Sequence, residues 1–291
     1  MVRGVIHALA VCLFAAGPAR AETIAQALDG ITHSLDARVG FYMHDLETGA
    51  VVTRAADQRF PLNSTFKLLA CAVLLQRVDA GQSRIETVVP VAGHDLVSYS
   101  SAVQAHLLAG HRSLSLEHAC GMVLSVGDNA AANIVLAEIG GPAGLTAHLR
   151  AIGDTQTRLD RWEPAMNTAQ PGDPRDTTTP RAIAQSVTHL LLGDALSASS
   201  RSILAGWLAE HSVADALFRA ALPDGWGIED RTGAGGFGSR SIVAVIYPPN
   251  RRPVVAALYV TETTANTAMR NAAIARVGRA IVAKVSETQD Q

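Results

Sequence analysis

Ser64 and Lys67 stand three residues apart in the run Phe60-Pro61-Leu62-Asn63-Ser64-Thr65-Phe66-Lys67. A serine hydroxyl is a poor nucleophile until a neighbour takes its proton, and a lysine amine can do so when burial lets it shed charge. Residues three apart share a helix face, so this spacing sets hydroxyl beside amine. The chain has only two lysines, Lys67 and Lys284, among 24 basic residues. Ser-x-x-Lys alone is a weak signal, about one per chain of this size on composition. Three further clusters accompany it: Gly127-Asp128-Asn129, the run Arg161-Trp162-Glu163-Pro164-Ala165-Met166-Asn167, and Arg231-Thr232-Gly233-Ala234-Gly235.

The elements that must position these residues can be read from periodicity. Ser64 opens a long apolar helix to about residue 78, and unpaired N–H groups at a helix start favour negative charge there. Residues 22–36 read as a helix, and 39–45 and 51–54 as strands turned by Glu47-Thr48-Gly49. Helical patterns cover 116–124, 130–138, 179–192 and 200–210, while 161–176 is irregular and long enough to be a functional loop. Strands 241–247 and 253–261, joined by Pro248-Pro249-Asn250, precede a closing helix over 266–284. Strands at both ends with helices between predict an α/β (α+β) fold: an antiparallel sheet from both termini with an inserted helical lobe. The expected division is 22–62 with 221–291 for the α/β lobe and 63–220 for the helical lobe, including the loop 161–176.

Composition narrows the field. At 48% hydrophobic and 17% charged residues the chain can build a large core, and a net charge of −2 without a basic stripe argues against nucleic acid. Residues 1–21 read as a secretory signal, with Arg3, an apolar run over 5–16, and Ala19-Arg20-Ala21 for cleavage. The run is too short to span a bilayer, so a periplasmic protein without lasting membrane association is expected. Cys12 leaves with the signal. Cys71 and Cys120 then form an isolated pair, read as one disulfide in an oxidising compartment or else as two buried thiols. The histidines show no metal-binding spacing, so no metal and no cofactor are expected, and no pairing surface suggests more than a monomer. Residues 233–238 fit Gly-x-Gly-x-x-Gly, but a strand follows where a dinucleotide site needs a helix.

In order and spacing the four clusters resemble the class A serine β-lactamases, as do 159–164 and 175–180. Arg231 followed by Gly236-Phe237-Gly238 is most similar to the carbenicillin-hydrolysing subgroup. The resemblance implies a small-molecule β-lactam substrate, with Ser64 as nucleophile and Lys67 or Glu163 as acylation base. It implies Glu163 as deacylation base with Asn167 holding its water, and backbone N–H groups of Ser64 and Ala234 as the oxyanion donors. Tyr99 matches a rim aromatic. Asn129, Arg231, Thr232, Gly233 and Arg240 match substrate-binding positions, and Arg161 with Asp176 matches a loop ion pair. Glycines 233 and 235 are expected to let substrate approach the strand. A silent β-lactam binder and a penicillin-binding carboxypeptidase or transpeptidase are the alternative readings.

The main departure is Gly127, where the family has serine to pass a proton to the leaving nitrogen. Three outcomes stand open: a water relays the proton, Ser125 reaches in, or acylation is badly impaired. A slower but real enzyme is expected, and Gly127→Ser is expected to raise turnover. About three extra residues near 108–113, relative to the family, are expected to alter access past Tyr99.

Overall fold

The computed structural model describes residues 21–209 and 213–288; the expected leader over 1–21, apart from Ala21, lies outside them. Strands β8 (Arg240–Tyr247) and β9 (Val254–Thr261) are buried almost end to end, so both faces of their sheet are covered. Strand alternation serves both faces. Ile242, Ala244, Ile246, Leu258 and Val260 join one core, whereas Val243, Val245, Val255, Ala257 and Tyr259 join the other. Helices α1 (Ile24–Leu35) and α9 (Thr267–Glu287) close the first core with Leu28, Ile31, Ile274, Val277 and Ile281.

With β1 (Arg38–Asp45), β2 (Val51–Arg54) and β7 (Gly227–Ala234), these strands form an antiparallel sheet ordered β2-β1-β9-β8-β7. The two ends of the chain meet where Arg38 pairs with Thr261 and Asp45 with Val254. This is the expected sheet built from both termini.

The second core belongs to the helical lobe. In α2 (Phe66–Asp79) every residue from Phe66 to Leu75 is buried, so this helix has no polar face. A helix buried all round sits in the middle of its neighbours. Here they are α4 (Leu116–Ser125), α5 (Asn129–Glu138), α6 (Gly141–Ala151) and α8 (Ala198–Ala209). The expected Cys71–Cys120 disulfide is present and ties α2 to α4. Helix α7 (Pro180–Val187) lies against β1, β8 and β9. Two short pairings complete the fold: β3 (Phe60–Pro61) with β6 (Thr177–Thr178), and β4 (Val88–Pro90) with β5 (Ser113–Ser115).

Local differences from the sequence reading have local causes. Ser64 lies in a 3-10 turn, Asn63–Thr65, and the α-helix starts at Phe66. The helix expected over 179–192 is α-helical only to Val187, then widens into a π turn over Thr188–Leu192. Helix α3 (Ser101–Leu108) buries only Val103, so it has no apolar stripe to read. Helix α6 starts at Gly140-Gly141-Pro142, which reads as a turn.

Candidate active site

Lys67 is wholly enclosed one turn beyond Ser64. Its Nζ donates to the Gly127 carbonyl at 2.7 Å and to Asn129 Oδ1 at 2.6 Å, and lies 3.1 Å from Glu163 Oε1. Burial pushes its pKa down from 10.5 to about 8; the Glu163 carboxylate resists this, and the Arg231 charge adds to it. Asn129 is fixed in turn by donating from Nδ2 to the Ser98 carbonyl at 2.8 Å.

Asp128 builds the corner rather than the chemistry. Its Oδ1 caps α5 by accepting from Ala131 N, and its Oδ2 accepts from Ala102 N and Val103 N at the start of α3. One buried carboxylate thereby satisfies orphan donors at two helix starts.

Glu163 reaches Lys67 because the loop is held at its base and its middle. At the base, Asp176 is 1% exposed and accepts from Asp160 N, Arg161 N and, at 2.5 Å, Arg161 Nε. The expected Arg161–Asp176 pair is therefore also a backbone clamp. At the middle, Asn133 Oδ1 accepts from Glu163 N and its Nδ2 donates to Glu163 O, both at 3.0 Å. The sequence reading missed Asn133; an asparagine inside the apolar run of α5 was the available signal. Asn167 Nδ2 donates to Glu163 Oε2.

A cleft of about 690 Å³ opens in front of Ser64. Tyr99, Asn129, Asn167, Arg231, Thr232, Gly233, Ala234 and Arg240 line it as expected, while Lys67 and Glu163 lie behind the wall. Tyr99 stands on the rim, 69% exposed. Residues 108–113 do not line this cleft, so the expected effect of that segment on access finds no contact here.

Arg270, from the first turn of α9, joins Arg231 and Arg240 on the wall and was missed because a helix-face arginine carries no motif. Arg231 Nη1 donates to Leu124 O, Arg240 Nε to Asn271 Oδ1, and Arg270 Nη1 to Ser239 O. Among the described residues none of the three has a carboxylate ion-pair partner. Burial lowers the pKa of Arg231 and of Arg240 to about 10, still charged at neutral pH.

Two expectations change. Gly233 in β7 and Gly235 just beyond it serve close approach of protein to protein. A Cβ at Gly233 would lie 2.8 Å from Asn63 Cβ and 3.1 Å from Ser64 N, and one at Gly235 would lie 2.6 Å from Asn167 O. Gly233 still faces the cleft. Ser125 does not reach in: its hydroxyl donates back to Gly121 O at 2.7 Å. Gly127 has φ +79°, and a Cβ there would lie 2.6 Å from Arg231 Nη2. The guanidinium thus stands where a side chain at 127 would begin.

Fold and cleft define a class: a hydrolase with a serine on the wall of a cleft between sheet and helices. Residues 21–285 match the beta-lactamase enzyme family. Beta-lactamase AER-1 of Aeromonas hydrophila is 47% identical over 87% of this chain and 83% of that protein. Beta-lactamase CARB-3 of Pseudomonas aeruginosa is 41% identical over 91% of both. The structure of an ancestral class A β-lactamase matches with a TM-score of 0.86 at 43% identity, covering 89% of this chain and 99% of that one. This chain belongs to the class A β-lactamase family.

Proposed function

We propose that this chain hydrolyses the lactam amide of penicillins and carboxypenicillins through an acyl-enzyme on Ser64. The observation that carries the reading is the Glu163 carboxylate brought to the lysine beside Ser64, at 3.1 Å from Nζ. Ser64 Oγ attacks the lactam carbonyl carbon while its proton passes to Glu163 through a water. The developing oxyanion is held by the N–H groups of Ser64 and Ala234. The C–N bond then breaks and the nitrogen takes a proton. Glu163 hands its proton across to Lys67, which has given one to the leaving nitrogen. Glu163 then removes a proton from water, which attacks the ester, and returns that proton to Ser64 Oγ as the acyl C–O bond breaks.

Arg231, Arg240 and Arg270 hold the substrate's carboxylates, and their number suits a carboxypenicillin, which carries two. Thr232 and Asn129 add polar contacts. With Ser125 turned away and no side chain at 127, the nitrogen's proton comes by way of water from the Lys67 ammonium. A cleaved leader over 1–21, a periplasmic location and a monomeric state belong to this reading, as do lobes at 22–62 with 221–291 and at 63–220.

Hydrolysis of benzylpenicillin and carbenicillin, measured beside Ser64→Ala, is the test. Turnover that vanishes in the variant is expected. A protein that gains the mass of one drug molecule without turnover would instead be a β-lactam binder, the second reading that Gly127 favours.

A further inference from the structure

A second chamber, of about 400 Å³, lies behind the loop and shares no wall residue with the Ser64 cleft. Its volume falls within the range of small-molecule sites, roughly 300–1,000 Å³.

Its wall mixes apolar residues, Met166 and Pro174 among them, with polar and charged ones. Arg38 is taken by Glu262 at 2.6 Å and Arg175 by Asp173 at 2.8 Å. Arg59 differs. Its guanidinium donates to Gln156 O, Gln156 Oε1 and Thr177 Oγ1, and among the described residues it meets no carboxylate. Thr261 Oγ1, also on this wall and in a residue 1% exposed, has no hydrogen-bond partner among the described residues. A buried hydroxyl left this way calls for a ligand atom or a water.

We propose that this chamber binds a small planar aromatic carboxylate, its carboxylate on Arg59 and its ring against Met166 and Pro174. Guanidinium and carboxylate match as paired forks, and methionine sulfur packs well on ring edges.

The chamber and the cleft are separated by one strip of chain. Met166 faces the chamber, while Asn167 and Thr168 face the cleft. Asn167 in turn donates to Glu163. A ligand in the chamber presses on the strip that orients Glu163, so both steps that use this carboxylate as base, acylation and release of the acyl-enzyme, slow. That effect rests on the role proposed for Glu163; the binding does not.

Naphthalene-2-carboxylate is the probe, and calorimetry on the whole protein reads its binding. One saturable site is expected, weakened about tenfold or more with naphthalene-2-carboxamide, which lacks the charge, and similarly by Arg59→Gln. The carboxamide comparison needs no mutation and stands even where Arg59→Gln disturbs folding. No binding, equal binding of the carboxamide, or loss of binding once Ser64 carries a stable adduct would overturn the site. With benzylpenicillin, stopped-flow is expected to show slower acylation and slower release in the presence of probe. Release at the original rate with the chamber saturated would overturn the coupling. In a protein without turnover, calorimetry alone decides the chamber.

Discussion

Lys67 sets the pH response of the site. Burial holds its pKa near 8, so at neutral pH the ammonium form prevails beside Glu163. The carboxylate is then the base, and kcat/KM for benzylpenicillin is expected to fall as pH rises through about 8. A rise over that window would make neutral Lys67 the acylation base. The folded chain holds this proton less tightly than the unfolded one, so the lysine's contribution to stability grows from pH about 8 towards 10.5. Gly127 is the second residue-scale test. A side chain there must adopt φ +79° and displace Arg231 Nη2. Gly127→Ser is expected to lower unfolding free energy by about 1–2 kcal/mol, the cost of left-handed backbone for an L-residue. It is expected to speed acylation by restoring a hydroxyl. Urea unfolding and stopped-flow acylation check the two effects; unchanged stability would show that guanidinium and backbone yield freely.

At the scale of elements, the loop over 161–176 depends on few ties. Asp176 gathers two backbone N–H groups and the Arg161 guanidinium, and Asn133 grips both backbone groups of Glu163. Asp176→Asn is expected to cost about 2 kcal/mol, the scale of a hydrogen bond to a charged group. Both kcat and kcat/KM for benzylpenicillin should then fall, because Glu163 drifts from its place in both steps. Steady-state kinetics measure this, and unchanged values would show that Asn133 alone positions Glu163. The loop's existence was legible from its Pro, Gly and Asp content. Its grip on Glu163 was not, because Asn133 and Glu163 lie 30 residues apart.

At the scale of the molecule, the sheet joins the ends of the chain, and one buried ion pair spans that joint. Asp45 closes β1, and Arg251 lies in the turn between β8 and β9. Burial would raise the Asp45 pKa, but the Arg251 guanidinium and the Glu47 N–H outweigh it, so the pKa is lowered. A lowered carboxylate pKa gives stability that is present above its unfolded value, about 3.9, and lost as pH falls through the folded value. Asp45→Asn is therefore expected to destabilise at pH 7 more than in acid, which urea unfolding at pH 7 and pH 3 measures. Equal losses at both would mean that the pair adds no charge-dependent stability.

The sequence by itself determined what depends on neighbours along the chain. Ser64 and Lys67 share a face because a helical turn puts them there, and β8 and β9 serve two cores because strand side chains alternate. The disulfide was legible because two cysteines remain once the leader is set aside. Tertiary structure decided the rest. It turned Ser125 back onto its own helix, set Arg231 beside Gly127, and made Gly233 and Gly235 a seat for the Ser64 turn. Among the described residues it also left Arg59 without a carboxylate and Thr261 Oγ1 without a hydrogen-bond partner behind the loop. Such outcomes depend on which distant surfaces close-packing brings within a few ångströms, and no period along the chain encodes that.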